Sequence, residues 1–167
     1  MTQHRSVKAP DHGQAEWLHL DRQLCFALYA SSLAMTKLYK PLLSPLGLTY
    51  PQYLVLLVLW AQDAQSVSAV GEQLALDSGT LTPLLKRMEQ AGWITRDRDR
   101  SDERRVIVRL TDRGQGLRAD AAHIPRTLAC ATACSLEELQ SLTQRLHQLR
   151  QQLTQAPLPA VVSAGNH

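Results

Sequence analysis

Residues 74–110 read LALDSGTLTPLLKRMEQAGWITRDRDRSDERRVIVRL, and this stretch decides the fold. Asp77 and Ser78 offer the short polar side chains that open a helix. Leu81, Leu84, Leu85 and Met88 then recur at three- and four-residue steps, the signature of one buried helical face. Gly92 supplies the stop. Past it the period falls to two. Trp93–Arg96 and Val106–Leu110 are short β-type runs, and the segment between them is polar throughout. A helix followed at once by a β-hairpin is therefore predicted. Pro83 disturbs the pattern, because it cannot donate to the Gly79 carbonyl, so the helix is expected to start tight or bend near Gly79.

Working outward, the spacing predicts a further helix just upstream, from about Ser68 to Leu76. Helix, turn, helix and hairpin make a winged helix-turn-helix. Before it, Thr49 caps a helix with Pro51 in its first turn. That helix is apolar nearly all round from Tyr53 to Trp60, so it should be central. Leu20, Leu24, Ala27, Leu28, Ser31 and Met35 form one face of a first helix, with Asp21 at its start. Pro41, Pro45 and Gly47 break the pattern there. Downstream, Thr111 caps a helix expected to run to about Ala133. Ser135-Leu-Glu-Glu138 is a capping box for a last helix, with Leu139, Leu142, Leu146 and Leu149 on one side. The expected fold is mainly α with a small β-hairpin wing. Residues 1–15 read as a flexible arm and 155–167 as a flexible tail.

The totals exclude several classes. No apolar run approaches the roughly 20 residues of a membrane helix, and the N-terminus lacks a secretory leader's apolar stretch. The reading is a soluble, cytoplasmic protein with no membrane partner. The net charge of +3 is too small to argue for nucleic acid by itself. Three cysteines cannot all pair within one chain. The histidines are scattered and suggest no catalytic set. No cofactor motif is present.

The position of the charges says more than their sum. The helix from Ser78 to Gln90 is expected to enter the major groove. Its leading edge offers Ser78, Thr80 and Thr82, hydroxyls suited to phosphates or base edges, and its later turns offer Lys86 and Arg87. The wing carries Arg96, Arg98, Arg100, Arg104 and Arg105 against Asp97, Asp99, Asp102 and Glu103. A self-neutralised, solvated tip is one reading. The other is an arginine inserted into a narrow minor groove with an acid orienting it.

The run from Leu76 to Gly114, LDSGTLTPLLKRMEQAGWITRDRDRSDERRVIVRLTDRG, resembles the DNA-binding core of the MarR family of repressors. Asp102-Glu-Arg-Arg105 followed by Leu110-Thr-x-x-Gly114 matches the family's wing and helix-start pattern. The LDSGTLTPLLKRME segment is similar to the organic hydroperoxide resistance repressors within that family, and the likeness extends over about residues 18–152. The resemblance implies a minor-groove role for Arg104, with Asp102 as its support. It also implies an obligate homodimer that interleaves its first and last helices and reads an inverted-repeat DNA operator. On this reading residues 16–154 form one domain, with the winged helix-turn-helix at about 49–111 and dimerisation helices at 16–46 and 112–154.

Cys25 lies between Leu24 and Phe26 near the start of the first helix. A lone helical cysteine is most often a small buried hydrophobe. The resemblance gives it another meaning, a peroxidatic thiol, with Tyr39 and Tyr50 at the positions that hydrogen-bond its sulfur. Phenol donors stabilise a thiolate, the form that attacks a peroxide O–O bond. The apolar neighbours would favour an organic hydroperoxide as the signal. The resemblance further makes Cys130 a resolving thiol that acts from the other subunit. Cys134 has no counterpart, and with Cys130 it reads as packing, as a competing thiol or, with His123, as a weak zinc pattern. No metal is expected.

Two other functions compete. A phenolic or lipophilic ligand could release the repressor without covalent chemistry, with Cys25 as a pocket wall. A thiol peroxidase would turn over with a thiol reductant, and the wing arginines speak against a dedicated enzyme.

Overall fold

The computed structural model describes residues 18–157 apart from Arg100 and Glu103. The N-terminal arm, most of the C-terminal tail and those two wing residues lie outside the described residues. Seven α-helices and three strands are present among the rest. They fall into two compact units, one up to Ala122 and one from His123.

The first unit begins with a 3-10 turn over Leu20–Arg22 and helix α1 over Leu24–Leu43. Asp21 therefore belongs to the turn and is not the cap. Gln23 holds that place, with no side-chain capping bond. Pro41 does not break α1 as the sequence suggests. The helix runs through it to Leu43, because Ser44 holds the last turn: its N–H and its hydroxyl both donate to the Lys40 carbonyl.

Helix α2 (Tyr50–Ala61) starts as expected at Thr49. The Gln52 Oε1 accepts from the Thr49 N–H at 2.8 Å and completes the cap. Tyr53, Val55, Leu56 and Leu59 of this helix are buried, so it is the centre of the unit. Strand β1 (Gln65–Ser66), α3 (Val67–Leu74) and α4 (Ser78–Gln90) follow. Helix α4 buries Leu81, Leu84, Leu85 and Met88, the face read from the sequence. Each such fully buried side chain contributes about 1.5–3 kcal/mol.

Pro83 sits inside α4 without ending it. The helix closes on two bonds, Gly92 N–H to Glu89 C=O (2.9 Å) and Trp93 N–H to Met88 C=O (3.1 Å). This terminal motif needs a left-handed residue, and Gly92 has φ +73°.

Strands β2 (Ile94–Arg98) and β3 (Val106–Leu110) form the hairpin, with Ile94 opposite Leu110 and Arg98 opposite Val106. The sheet order is β1-β3-β2, all antiparallel. Two residues are too few for a periodic signal, so β1 was not legible in the sequence. Asp63 fastens the far end of β3 by accepting from the Leu110 N–H at 2.9 Å.

Helix α5 (Asp112–Ala121) begins at Thr111, whose hydroxyl donates to Gly92 C=O and accepts from Gly114 N–H. The Trp60 indole donates to the Gly114 carbonyl at 3.0 Å. The single helix expected from Asp112 to about Ala133 is in fact two. Helix α5 stops at Ala121, and α6 covers Ile124–Ala131. Pro125 is the reason, since it has no N–H to offer the Ala121 carbonyl but fits the first turn of a new helix.

The second unit comprises α6 and α7 (Leu136–Gln155). The Ser135 capping box is present: Ser135 N–H bonds to Glu138 Oε2 at 2.7 Å and Glu138 N–H to Ser135 Oγ at 3.2 Å. Helix α7 buries none of its residues within the chain. Leu136, Leu142, Leu146 and Leu153 are exposed along it, as are Leu24, Phe26, Tyr29, Leu33 and Leu38 along α1. No single helix among the described residues is long and apolar enough to cross a membrane.

Candidate DNA interface and candidate thiol site

Helix α4 is aimed by its cap. The Asp77 carboxylate accepts from the Thr80 N–H at 2.9 Å and from the Thr80 hydroxyl at 2.8 Å. Those bonds hold the Asp77 carboxyl below the usual aspartate range. Thr80 is thus engaged in the cap, and of the three leading hydroxyls only Ser78 and Thr82 have no bond within the chain to a neighbouring carboxylate. With Leu81, Leu84, Leu85 and Met88 turned inward, Ser78, Thr82, Lys86 and Arg87 remain on the exposed side.

The hairpin tip is closed by backbone bonds, Asp99 N–H to Arg105 C=O and Arg105 N–H to Asp102 C=O, both 2.9 Å. Asp99 accepts from the Ser101 N–H and hydroxyl, which lowers its pKa, with a smaller contribution from Arg105. Asp102 touches Arg104 through the backbone: its Oδ1 accepts the Arg104 N–H at 3.1 Å. The Arg104 side chain is exposed.

The five wing arginines are not equivalent. Arg96 stands in β2 and not at the tip. Its Nη2 and Nε lie 2.6 and 3.0 Å from Glu89 Oε2, and its backbone N–H donates to Glu89 Oε1 at 3.2 Å. Arg105 approaches Asp99 at 4.0 Å. Arg100 lies outside the described residues. Arg98 is exposed at the end of β2, and among the described residues Arg104 is an exposed tip cation held by a defined turn. Ser78, Thr82, Arg96 and Arg104 line one open cleft of about 740 Å³ between α3, the start of α4 and the hairpin.

Glu89 is a residue that the sequence did not single out. It ties the wing to the recognition helix, because one carboxylate takes three bonds from a single strand residue. Glu89→Ala is expected to cost about 1–3 kcal/mol, the value of bonds to a charged group. A double-mutant cycle with Arg96→Ala, followed by thermal melting, should give strongly non-additive losses. Additive losses would show that the two residues act independently.

Cys25 is the second residue of α1 and is exposed in the single chain. Its Sγ lies 3.8 Å from Gln23 Oε1. Tyr39 and Tyr50 do come together, with ring centroids 4.5 Å apart, and Tyr53 joins them at 5.8 Å from Tyr39. Burial, with the neighbouring phenols adding to it, pushes Tyr39 up to about 12. Burial raises Tyr50 as well. Both hydroxyls thus keep their protons and remain donors. They are not beside Cys25 of the same chain. Fourteen residues of α1 separate Tyr39 from Cys25, about 21 Å along the axis at 1.5 Å per residue.

Cys130 and Cys134 are both exposed and free. Among the described residues no three His, Cys, Asp or Glu side chains come together as a metal site would require.

Comparison with known proteins shows the family of the chain. A family model described as transcriptional regulator SarA/Rot matches residues 37–120. The organic hydroperoxide resistance transcriptional regulator of Bacillus subtilis (strain 168) is 53% identical over 83% of this chain and 94% of its own length. Among solved structures, reduced AbfR bound to DNA superposes with a TM-score of 0.69 at 38% identity, over 84% of this chain and 99% of that one. Disulfide-formed AbfR matches with a TM-score of 0.56 at 40% identity, over 81% and 95%. AbfR is a Staphylococcus epidermidis protein. With a helix-turn-helix, a wing and relatives of this kind, the chain belongs to the MarR and SarA/Rot type of winged-helix transcriptional regulators, DNA-binding proteins and not enzymes.

Proposed function

We propose that the protein is a cytoplasmic homodimeric repressor that binds an inverted-repeat operator and leaves it when an organic hydroperoxide oxidises Cys25. The observation that carries this reading is the exposed Cys25 on an apolar helix face, in a chain half identical to an organic hydroperoxide resistance regulator. The exposed leucines of α1 and α7 support the dimer, since a single chain leaves those rows in water. In the dimer the recognition helices and the Arg104 tips would be paired about one DNA turn apart.

The separation of Cys25 from its own Tyr39 supports service of the thiol from the other subunit. The donors to Cys25 come from the partner subunit's Tyr39 and Tyr50. A phenol proton directed at the sulfur favours the thiolate. The thiolate attacks the peroxide, an alcohol leaves, and Cys25 becomes a sulfenic acid. The partner subunit's Cys130 then displaces water and forms an intersubunit disulfide. A disulfide needs Cα atoms within about 7 Å, so closing that bond draws the dimer helices together and changes the spacing of the reading heads.

A mobility shift on the operator tests this. Wild type should release DNA on addition of cumene hydroperoxide, and Cys25→Ser should bind yet ignore it. Unchanged release by Cys25→Ser sinks the reading. Tyr39→Phe should keep DNA affinity but oxidise about five-fold more slowly, the effect of one hydrogen bond of about 1 kcal/mol. Stopped-flow oxidation reads this directly.

The cleft of about 740 Å³ beside α4 favours a second reading, release by a phenolic or lipophilic ligand without covalent chemistry. Release of Cys25→Ser by salicylate-like compounds would select it.

A further inference from the structure

Cys134 is the thiol that neither the sequence motif nor the proposed sensor absorbs. Helix α6 ends at Ala131, so Cys130 lies in its last turn. Thr132 continues helically, and Ala133 then takes φ +53°, a left-handed turn that L residues adopt rarely. The turn carries the chain off the helix axis, and the Cys134 thiol points back to the Thr132 carbonyl at 3.4 Å. Both thiols are exposed and free, so neither is used in packing within the chain. Only three residues separate the two cysteines, and the left-handed turn at Ala133 lies between them. A disulfide needs Cα atoms roughly 4.4–6.8 Å apart. Both cysteines belong to one compact unit, whereas Cys25 belongs to the other.

We propose that Cys130 and Cys134 form a dithiol that relays the oxidation away from Cys25. This rests on the hydroperoxide reading above. Once Cys25 is bridged to the partner subunit's Cys130, the Cys134 of the chain that supplied Cys130 attacks the Cys130 sulfur as a thiolate. The Cys134–Cys130 bond forms and the Cys25–Cys130 bond breaks, with the electron pair leaving on the Cys25 sulfur. The exchange is redox-neutral: Cys134 gives up one proton and Cys25 can take one up. The organic hydroperoxide remains the only oxidant. The covalent tie between subunits dissolves, while the oxidising equivalents stay at the α6–α7 junction. Cys134 thereby sets the lifetime of the crosslinked state. Exchange between thiols so close in sequence is favoured because the attacking thiol needs access to the sulfur, and both are exposed.

Trypsin makes the test direct. Cys130 and Cys134 share one peptide, residues 127–145, and Cys25 lies in residues 23–37. Cys25→Ser treated with diamide tests the pair alone: the 127–145 peptide should lose two hydrogens and resist alkylation. Its failure to do so overturns the dithiol. Wild type and Cys134→Ser are then given one equivalent of cumene hydroperoxide and sampled over time. In wild type the crosslink between peptides 23–37 and 127–145 should appear and decay as the internal bridge grows. In Cys134→Ser it should persist, on the order of tenfold longer. Equal persistence in both overturns the relay and leaves the sensor intact. No crosslink in either protein overturns the sensor reading and the relay with it.

Discussion

Replacing Gly114 with alanine is expected to be strongly destabilising. A Cβ at this position would lie 2.0 Å from the Trp93 carbonyl oxygen, and the Leu110 side chain is 3.2 Å away on another side. No rotamer relieves this, because the obstacle is backbone. Gly114 is also held on both polar groups, its N–H by Thr111 Oγ1 at 3.1 Å and its C=O by the Trp60 indole at 3.0 Å. Moving α5 with its cap away from the hairpin base would break the Trp60 bond and free the Trp93 carbonyl from Thr111 N–H. The combined cost is at least about 3 kcal/mol. For a chain of this size that lowers the melting temperature by roughly 10 °C. Thermal denaturation followed by circular dichroism checks it, and a variant melting within about 3 °C of wild type would contradict the packing described. The Leu110-Thr-x-x-Gly114 pattern thus has a steric meaning: only glycine lets the first turn of α5 rest on the strand that enters the wing.

The second large effect concerns Arg104. Arg104→Ala is expected to weaken operator binding at least about 30-fold at fixed salt. A lost arginine contact to a groove costs about 1–3 kcal/mol. A homodimer loses two, and about 2 kcal/mol corresponds to about 30-fold in Kd. Folding and thiol oxidation should not change, because the side chain is exposed and its turn is held by backbone bonds. Arg98→Ala is the control, and its effect should be smaller because Arg98 stands on the strand and not at the tip. Fluorescence anisotropy with labelled operator measures both. If Arg104→Ala binds within threefold of wild type, the tip does not engage the DNA, and Lys86 and Arg87 must carry the charge contacts. Asp102→Ala should show an intermediate loss, since it releases the turn but keeps the guanidinium.

The local parts of this fold were legible in the sequence. Thr49, Asp77, Thr111 and Ser135 each cap the helix assigned to them, because a cap is decided by residues three apart. The inward face of α4 and the limits of β3 followed from periodicity alone. The errors came where prolines were weighed without their surroundings. Pro41 was tolerated because Ser44 took over the last turn of α1, and Pro125 ended one helix by starting another. For the site, the exposed polar edge of α4 could be read, but the Glu89–Arg96 tie could not. It exists only because the strand folds back across the end of the helix that precedes it. The distance between Cys25 and Tyr39 was in principle readable from helix rise.

The Asp77 cap carries one further consequence, for behaviour in acid. Pro83 removes the N–H that would have bonded the Gly79 carbonyl, so the leading turn of α4 leans on the bonds that Asp77 makes to Thr80. The Asp77 carboxyl is depressed by those bonds relative to the unfolded chain. Its contribution is therefore complete above the ordinary aspartate pKa and disappears as pH falls through the lower folded value. At neutral pH the leading turn of α4 is fully secured. In strong acid it is released by protonation of a single exposed carboxylate, ahead of the apolar core behind it, which has no proton to gain.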